Sequence, residues 1–135
     1  MRTSDTAEEM IGFIKNRLDE EEKWAENATQ GVWKLWGMDV YADPVGNSSM
    51  DDAIKVASVR SPDPERLRTW NSTLIAAHDP GRVRRQCALF RALIPLCQMD
   101  TIDFVDDVWD GESLAMMMAD VWRDHYAYQE EWKSL

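Results

Sequence analysis

Apolar residues in the first 28 positions recur as Ala7, Met10/Ile11, Ile14, Leu18, Ala25 and Ala28, the spacing that one face of an α-helix produces. Thr6-Ala7-Glu8-Glu9 opens the stripe and fits a capping box, in which hydroxyl and carboxylate each take a free backbone N–H. Glu21 interrupts the stripe and Trp24 flanks it. Thr29-Gln30-Gly31 closes it, glycine being the usual helix stop. The pattern predicts a helix over 6–28.

The period then changes. Val32-Trp33-Lys34-Leu35-Trp36 and Met38-Asp39-Val40-Tyr41 are short, rich in aromatic and branched residues, and separated by Gly37. After a Pro-, Gly- and Ser-containing loop at 43–49, Ile54-Lys55-Val56-Ala57-Ser58-Val59 alternates apolar with polar or small residues, as a half-buried strand does. These runs predict a small antiparallel sheet of two or three strands over 32–59. It has to pack on a helix, because a hairpin alone is marginal in water.

Asp63 as N-cap with Pro64 at the first helical position opens a helix over 64–77, with Leu67, Trp70, Leu74 and Ala77 as its apolar side. His78-Asp79-Pro80 repeats the device and opens a helix over 80–97. Its stripe, Val83, Cys87, Phe90, Ile94 and Cys97, is the cleanest helical signal in the chain. Pro95 falls inside it at a cost of about 3 kcal/mol, so the helix either ends near Ile94 or kinks there. Met99 to Gly111 is an acidic connector whose Ile102, Phe104, Val105, Val108 and Trp109 argue that it packs on the body as a short helix. Asp110-Gly111-Glu112 starts a last helix over 112–131, with Leu114, Met117/Met118, Val121, Trp122, His125 and Tyr128 on one side. The expected fold is α+β, mainly α: about four helices packed with a small two- or three-stranded antiparallel sheet. No repeat, low-complexity tract or linker divides the chain, so one domain over 1–135 is expected.

Charge narrows the function. The 15 basic and 25 acidic residues leave a net −10, which opposes general nucleic-acid binding and docking on an anionic membrane. No apolar run approaches the length of a membrane span, and no apolar stretch follows Arg2 as a signal peptide would require. A cytoplasmic location is expected. The charge is segmented: residues 60–91 carry 7 basic and 3 acidic groups, while residues 92–135 carry 2 and 10. Pairing between the basic middle and the acidic ends is one use of this pattern. An acidic surface that meets a basic partner is the other.

Candidate chemistry is sparse. Cys87 and Cys97 lie ten residues apart on one stripe, about 15 Å along a straight helix, which is too far for a disulfide. They read as buried thiols. His78-Asp79 is the dipeptide of some metal phosphohydrolases, but with His125 as the one other histidine it reads better as a helix start. The acidic connector fails as a calcium loop: with Gly111 as the loop glycine, Val108 and Met117 fall where ligands belong. The arginines Arg66, Arg68, Arg82, Arg84, Arg85 and Arg91 read as partners for carboxylates on flanking helices. Seven tryptophans is a high count, and Trp33 and Trp36 fall on opposite faces of a regular strand, so one of them is exposed. No catalytic motif, metal site or cofactor site is read.

Several segments carry a family resemblance. Met10–Glu22, Ala28-Thr29-Gln30-Gly31-Val32-Trp33, Ile75–Val83 and the tail Asp124-His125, Tyr128, Glu130-Glu131-Trp132 resemble a family of small uncharacterised proteins of actinobacteria and their phages. Tyr126, where that family often has Pro, and Pro95 depart from its pattern. The resemblance implies a shared fold unit, a mobile-element origin and no assigned activity. It marks His78, Asp79, Arg82, Asp124 and His125 as family-motif positions. Aromatic residues at Trp33, Trp36, Tyr41, Tyr126 and Trp132 are the candidate contact positions. The expectation is a non-enzymatic protein acting through protein contacts, with a host protein or a second copy as partner, plausible as a phage or prophage accessory factor. Two alternatives stand beside it: an acidic nucleic-acid mimic that blocks a DNA-binding host or defence protein, and a small enzyme or ligand binder using His78, Asp79 and His125.

Overall fold

The computed structural model describes residues 5–37, 39–43, 53–58, 65–103 and 107–134, with backbone alone at 65–69 and 134. In chain order these form α1 (Asp5–Asn27), β1 (Val32–Trp36), β2 (Asp39–Asp43), β3 (Ile54–Ser58), α2 (Glu65–Ala77), α3 (Pro80–Cys97), β4 (Ile102–Asp103), β5 (Val108–Trp109) and α4 (Gly111–Ala119), followed by 3₁₀ turns at Asp120–Trp122 and Glu130–Ser134. The fold is α+β and mainly α. Its contacts gather into two units, residues 21–86 and residues 1–20 with 87–135.

The unit of residues 21–86 is built on an antiparallel meander, β1-β2-β3. Trp36 pairs with Asp39 across a two-residue connection, and Gly37 there has φ +65°, a left-handed conformation that glycine adopts without strain. The central strand β2 buries Val40, Ala42 and Asp43. Asp43 is matched by Lys34 at 3.1 Å, and Lys55 reaches Asp39 at 3.1 Å, so each outer strand is tied to β2 by an ion pair. The alternation expected of β3 is broken: its register shifts between Val40 and Tyr41, and Ile54 is 51% exposed. A bulge of this kind re-aims the side chains that follow it.

Helix α2 packs on β1 and β2 through a face other than the expected one. Trp70 and Leu74 are each 62% exposed, whereas Ser72 is fully buried and Ala76 half-buried. Small side chains at i and i+4 let the helix approach the sheet closely, and the bulky pair is left outward. The proposed cap at Asp63-Pro64 and the side chain of Leu67 lie outside the described residues.

In the other unit, α1 buries Ala7, Met10, Ile11, Phe13, Ile14 and Leu18, the expected stripe with Phe13 added. The helix begins at Asp5, so Thr6 sits inside the first turn and is not its cap. Cys87, Ile94 and Cys97 of α3 are buried with Ala115, Met118 and Ala119 of α4. Pro95 neither ends nor precedes the end of α3 by a full turn: the helix continues two residues to Cys97, and Gln98 then donates to the Pro95 carbonyl at 3.2 Å. In the last turn a missing N–H forfeits few bonds.

Two expectations for the C-terminal third are corrected. The connector forms a short antiparallel hairpin, β4 with β5, rather than a helix; Phe104, Val105 and Asp106 lie outside the described residues. The last helix ends at Ala119, not near 131. Beyond it the backbone closes i to i+3 bonds, from Arg123 to Asp120, His125 to Trp122, Tyr128 to His125 and Trp132 to Gln129. A three-residue period brings Trp122, His125 and Tyr128 to one side. All three meet Phe13 edge-on at ring separations of 6.3, 5.8 and 5.8 Å, and Trp132 joins them at 5.3 Å. A regular α-helix would rotate these rings away from one another, so the aromatic cluster overrides local helix preference.

Candidate functional site

His78-Asp79-Pro80 sits where α2 ends and α3 begins. Asp79 Oδ1 accepts from Arg82 N at 2.9 Å, capping α3, and Oδ2 lies 3.4 Å from Trp33 N at the start of β1. The carboxylate therefore holds two elements at once. His78 Nδ1 donates to the Leu74 carbonyl at 2.8 Å, which leaves Nε2 with the lone pair in the neutral ring. Arg82 donates to the Ala77 carbonyl at 3.2 Å and Arg84 to the Ala25 carbonyl at 3.3 Å. These arginines satisfy helix-end carbonyls instead of the carboxylates expected for them. Arg91 does meet a carboxylate, Asp19 at 2.7 Å.

Beside this corner lies a pocket of about 180 Å³ lined by Glu21, Trp24, Ala25, Ala28, Trp33, His78, Pro80 and Val83. Trp33 Nε1 donates to the Thr29 carbonyl at 2.9 Å, fixing its indole. Trp24 is 62% exposed.

His125 belongs to the other unit. Arg17 Nη1, at 2.7 Å, and Ala127 N, at 3.0 Å, both donate to its Nδ1, which must then carry the lone pair. Its Nε2 also lies against Arg17 Nη1 and is 3.7 Å from Glu20 Oε2. Arg17 is itself buried, its guanidinium 5.3 Å from the Phe13 ring centre. His125 thus orders a buried cation, and Tyr126 stacks on its imidazole at 4.5 Å. Each histidine is engaged within its own unit. Asp124 is exposed.

A groove of about 350 Å³ runs between β5 and α4, lined by Asp107, Val108, Trp109, Asp110, Ser113, Met116 and Met117. Asp107 accepts from Val108 N at 2.8 Å and from Trp109 Nε1 at 2.9 Å, and Asp110 caps α4 by accepting from Ser113 N at 2.6 Å. The acidic residues of this segment hold local structure while keeping their charge at the surface. Val108 and Met117 are 61% and 52% exposed. Of the candidate contact residues, Trp36 and Tyr126 are exposed, Trp33 and Tyr41 are half-buried, and Trp132 is buried. Trp132 is therefore corrected from contact residue to core: its ring packs against Phe13 and Tyr128.

Among the described residues no group of three His, Cys, Asp or Glu side chains could hold a metal ion. Both cysteines are free and buried, and burial pushes the Cys97 thiol up to about 11. No helix among them is long and apolar enough to cross a membrane.

The model of a family of unknown function, DUF6221, matches residues 7–134. The chain belongs to that family. Neither a curated protein nor a solved structure matches it. DUF6221 membership thus covers both units and brings no activity with it. Within this DUF6221 chain, sequence reasoning missed Arg17, Trp24 and the Met116/Met117 edge. Arg17 sits between Ile14 and Leu18 in the α1 stripe, a sign that a buried polar partner awaited it. Nothing in the linear pattern marked Trp24 as a pocket wall.

Proposed function

We propose that this protein is a non-enzymatic acidic binding protein that engages a basic partner protein through the groove between β5 and α4. The carrying observation is the coincidence of an exposed apolar floor, Val108, Met116 and Met117, with acidic positions Asp107 and Asp110 on the same groove. Charge supports the choice of partner: residues 1–20 and 87–135 hold 15 acidic and 6 basic side chains, against 10 and 9 in residues 21–86. A cytoplasmic site of action and an accessory role in a phage or prophage belong to the same reading and rest on the sequence alone. His78 and Asp79 support the alternative small enzyme poorly, since their polar atoms hold helix ends.

The test compares proteins retained from a host lysate by immobilised wild-type chain and by a Val108→Ser/Met117→Ser variant. A basic protein held by the wild type, lost from the variant and released by raised salt is the expected result. Identical retention by both overturns the reading. The surplus acid also favours a nucleic-acid mimic; duplex DNA would then compete with this chain for the retained protein.

A further inference from the structure

We propose that the pocket walled by Trp24 and Trp33 in the unit of residues 21–86 is a binding slot for a single organic cation, a guanidinium or alkylammonium group. This site is separate from the groove between β5 and α4 and stands whether or not that groove binds a partner.

The walls match such a ligand in shape and polarity. Two indoles supply π faces, which attract a cation electrostatically once it is desolvated. Pro80, Val83, Ala25 and Ala28 complete an apolar lining. The polar atoms brought to the slot are acceptors: the Glu21 carboxylate and, with His78 Nδ1 committed to the Leu74 carbonyl, the lone pair on His78 Nε2. A guanidinium or ammonium carries donors alone, so the match is complementary. At about 180 Å³ the slot is smaller than the ~300–1,000 Å³ of pockets that take drug-sized molecules, and it suits one small group.

The surrounding backbone adds to the field. The slot is bordered by the C-terminal turns of α1 and α2, whose carbonyl ends carry partial negative charge. The opposing N-terminus of α3 is neutralised by its Asp79 cap. The protein already places its own guanidinium groups at these two helix ends, Arg84 on the Ala25 carbonyl and Arg82 on the Ala77 carbonyl, and neither lines the slot. Trp33 is held by its bond to Thr29, so one wall is in place before a ligand arrives.

The experiment follows the indole N–H resonances of Trp24 and Trp33 by NMR in the full chain during titration with n-butylguanidinium. A parallel titration uses n-butylurea, a neutral molecule of nearly the same shape. Saturable shifts of both resonances with the cation, and at least about tenfold weaker binding of the urea, are expected. Equal binding of the two would overturn the proposal, as would no saturable shift with the cation. Trp24→Ala, at an exposed position that folding does not depend on, should weaken the cation by about fivefold or more. Unchanged affinity in that variant also overturns it. A blocked peptide containing one Arg, titrated beside its citrulline counterpart, separates the two sources of the cation. Peptide binding tighter than butylguanidinium assigns the slot to a side chain of a partner protein, and equal or weaker peptide binding assigns it to a free small cation.

Discussion

Gly111 shows how much one missing atom can decide. Its N–H donates to the Met99 carbonyl at 2.9 Å, and a Cβ built there would overlap the carbonyl oxygens of Cys97 and Met99. Those are backbone atoms, which cannot swing aside as a flexible side chain can. Gly111→Ala is therefore expected to lower stability by about 1–3 kcal/mol, read as a shift of the urea midpoint. Cys97 offers a second test at this scale. Its thiol is pushed up to about 11 by burial, above the ordinary value of 9.0 that applies when the chain unfolds. The unfolded chain thus loses that proton first. The contribution is fully present below pH 9 and is lost as pH rises toward 11. The urea midpoint of the wild type should fall over that window more steeply than that of Cys97→Ala. A thiol reagent at pH 8 should label Cys97 only when denaturant is added.

At the scale of elements, the helix starts were legible because their causes are local. Asp79-Pro80 and Asp110-Gly111 announce α3 and α4, and both aspartates accept the capping bond in the structure. Asp79→Ala should cost about 1–2 kcal/mol in thermal or urea unfolding, and Asp79→Asn, which also caps, clearly less. If both variants unfolded like the wild type, the capping role would be wrong. The buried face of α2 was not legible, since Trp70 and Leu74 formed the more apolar stripe and lost to Ser72. Trp70→Ser should accordingly change stability by no more than about 0.5 kcal/mol, while Ser72→Leu should cost about 1–3 kcal/mol by overpacking against the sheet. The 3₁₀ tail was hidden for a related reason: its period follows Phe13, which lies more than a hundred residues away in the chain.

For the whole molecule the relevant quantity is charge. Residues 1–20 and 87–135 hold 15 acidic and 6 basic side chains, and compacting them brings like charges together. Raising sodium chloride from about 0.01 to 0.1 M shortens the screening length from about 30 to 10 Å. The melting temperature should rise over that range, because repulsion is screened more than the few ion pairs are weakened. A fall would show that pairs such as Arg91–Asp19 dominate the balance. The candidate sites belong to this scale as well. The slot of Trp24 and Trp33 and the groove of Val108 and Met117 gather residues from separate elements, and no spacing along the chain foreshadows either.

Sequence alone determined where α1, α3, α4 and the three strands begin, and that the chain is acidic. Periodicity, capping side chains and turn glycines act within a few residues, and charge needs only counting. Tertiary structure alone decided which side of α2 is buried, that the tail winds around Phe13, that Trp132 is core, and that Trp24 and Trp33 share a pocket. Those outcomes depend on how well surfaces from distant segments fit one another, and close packing rewards fit over hydrophobicity.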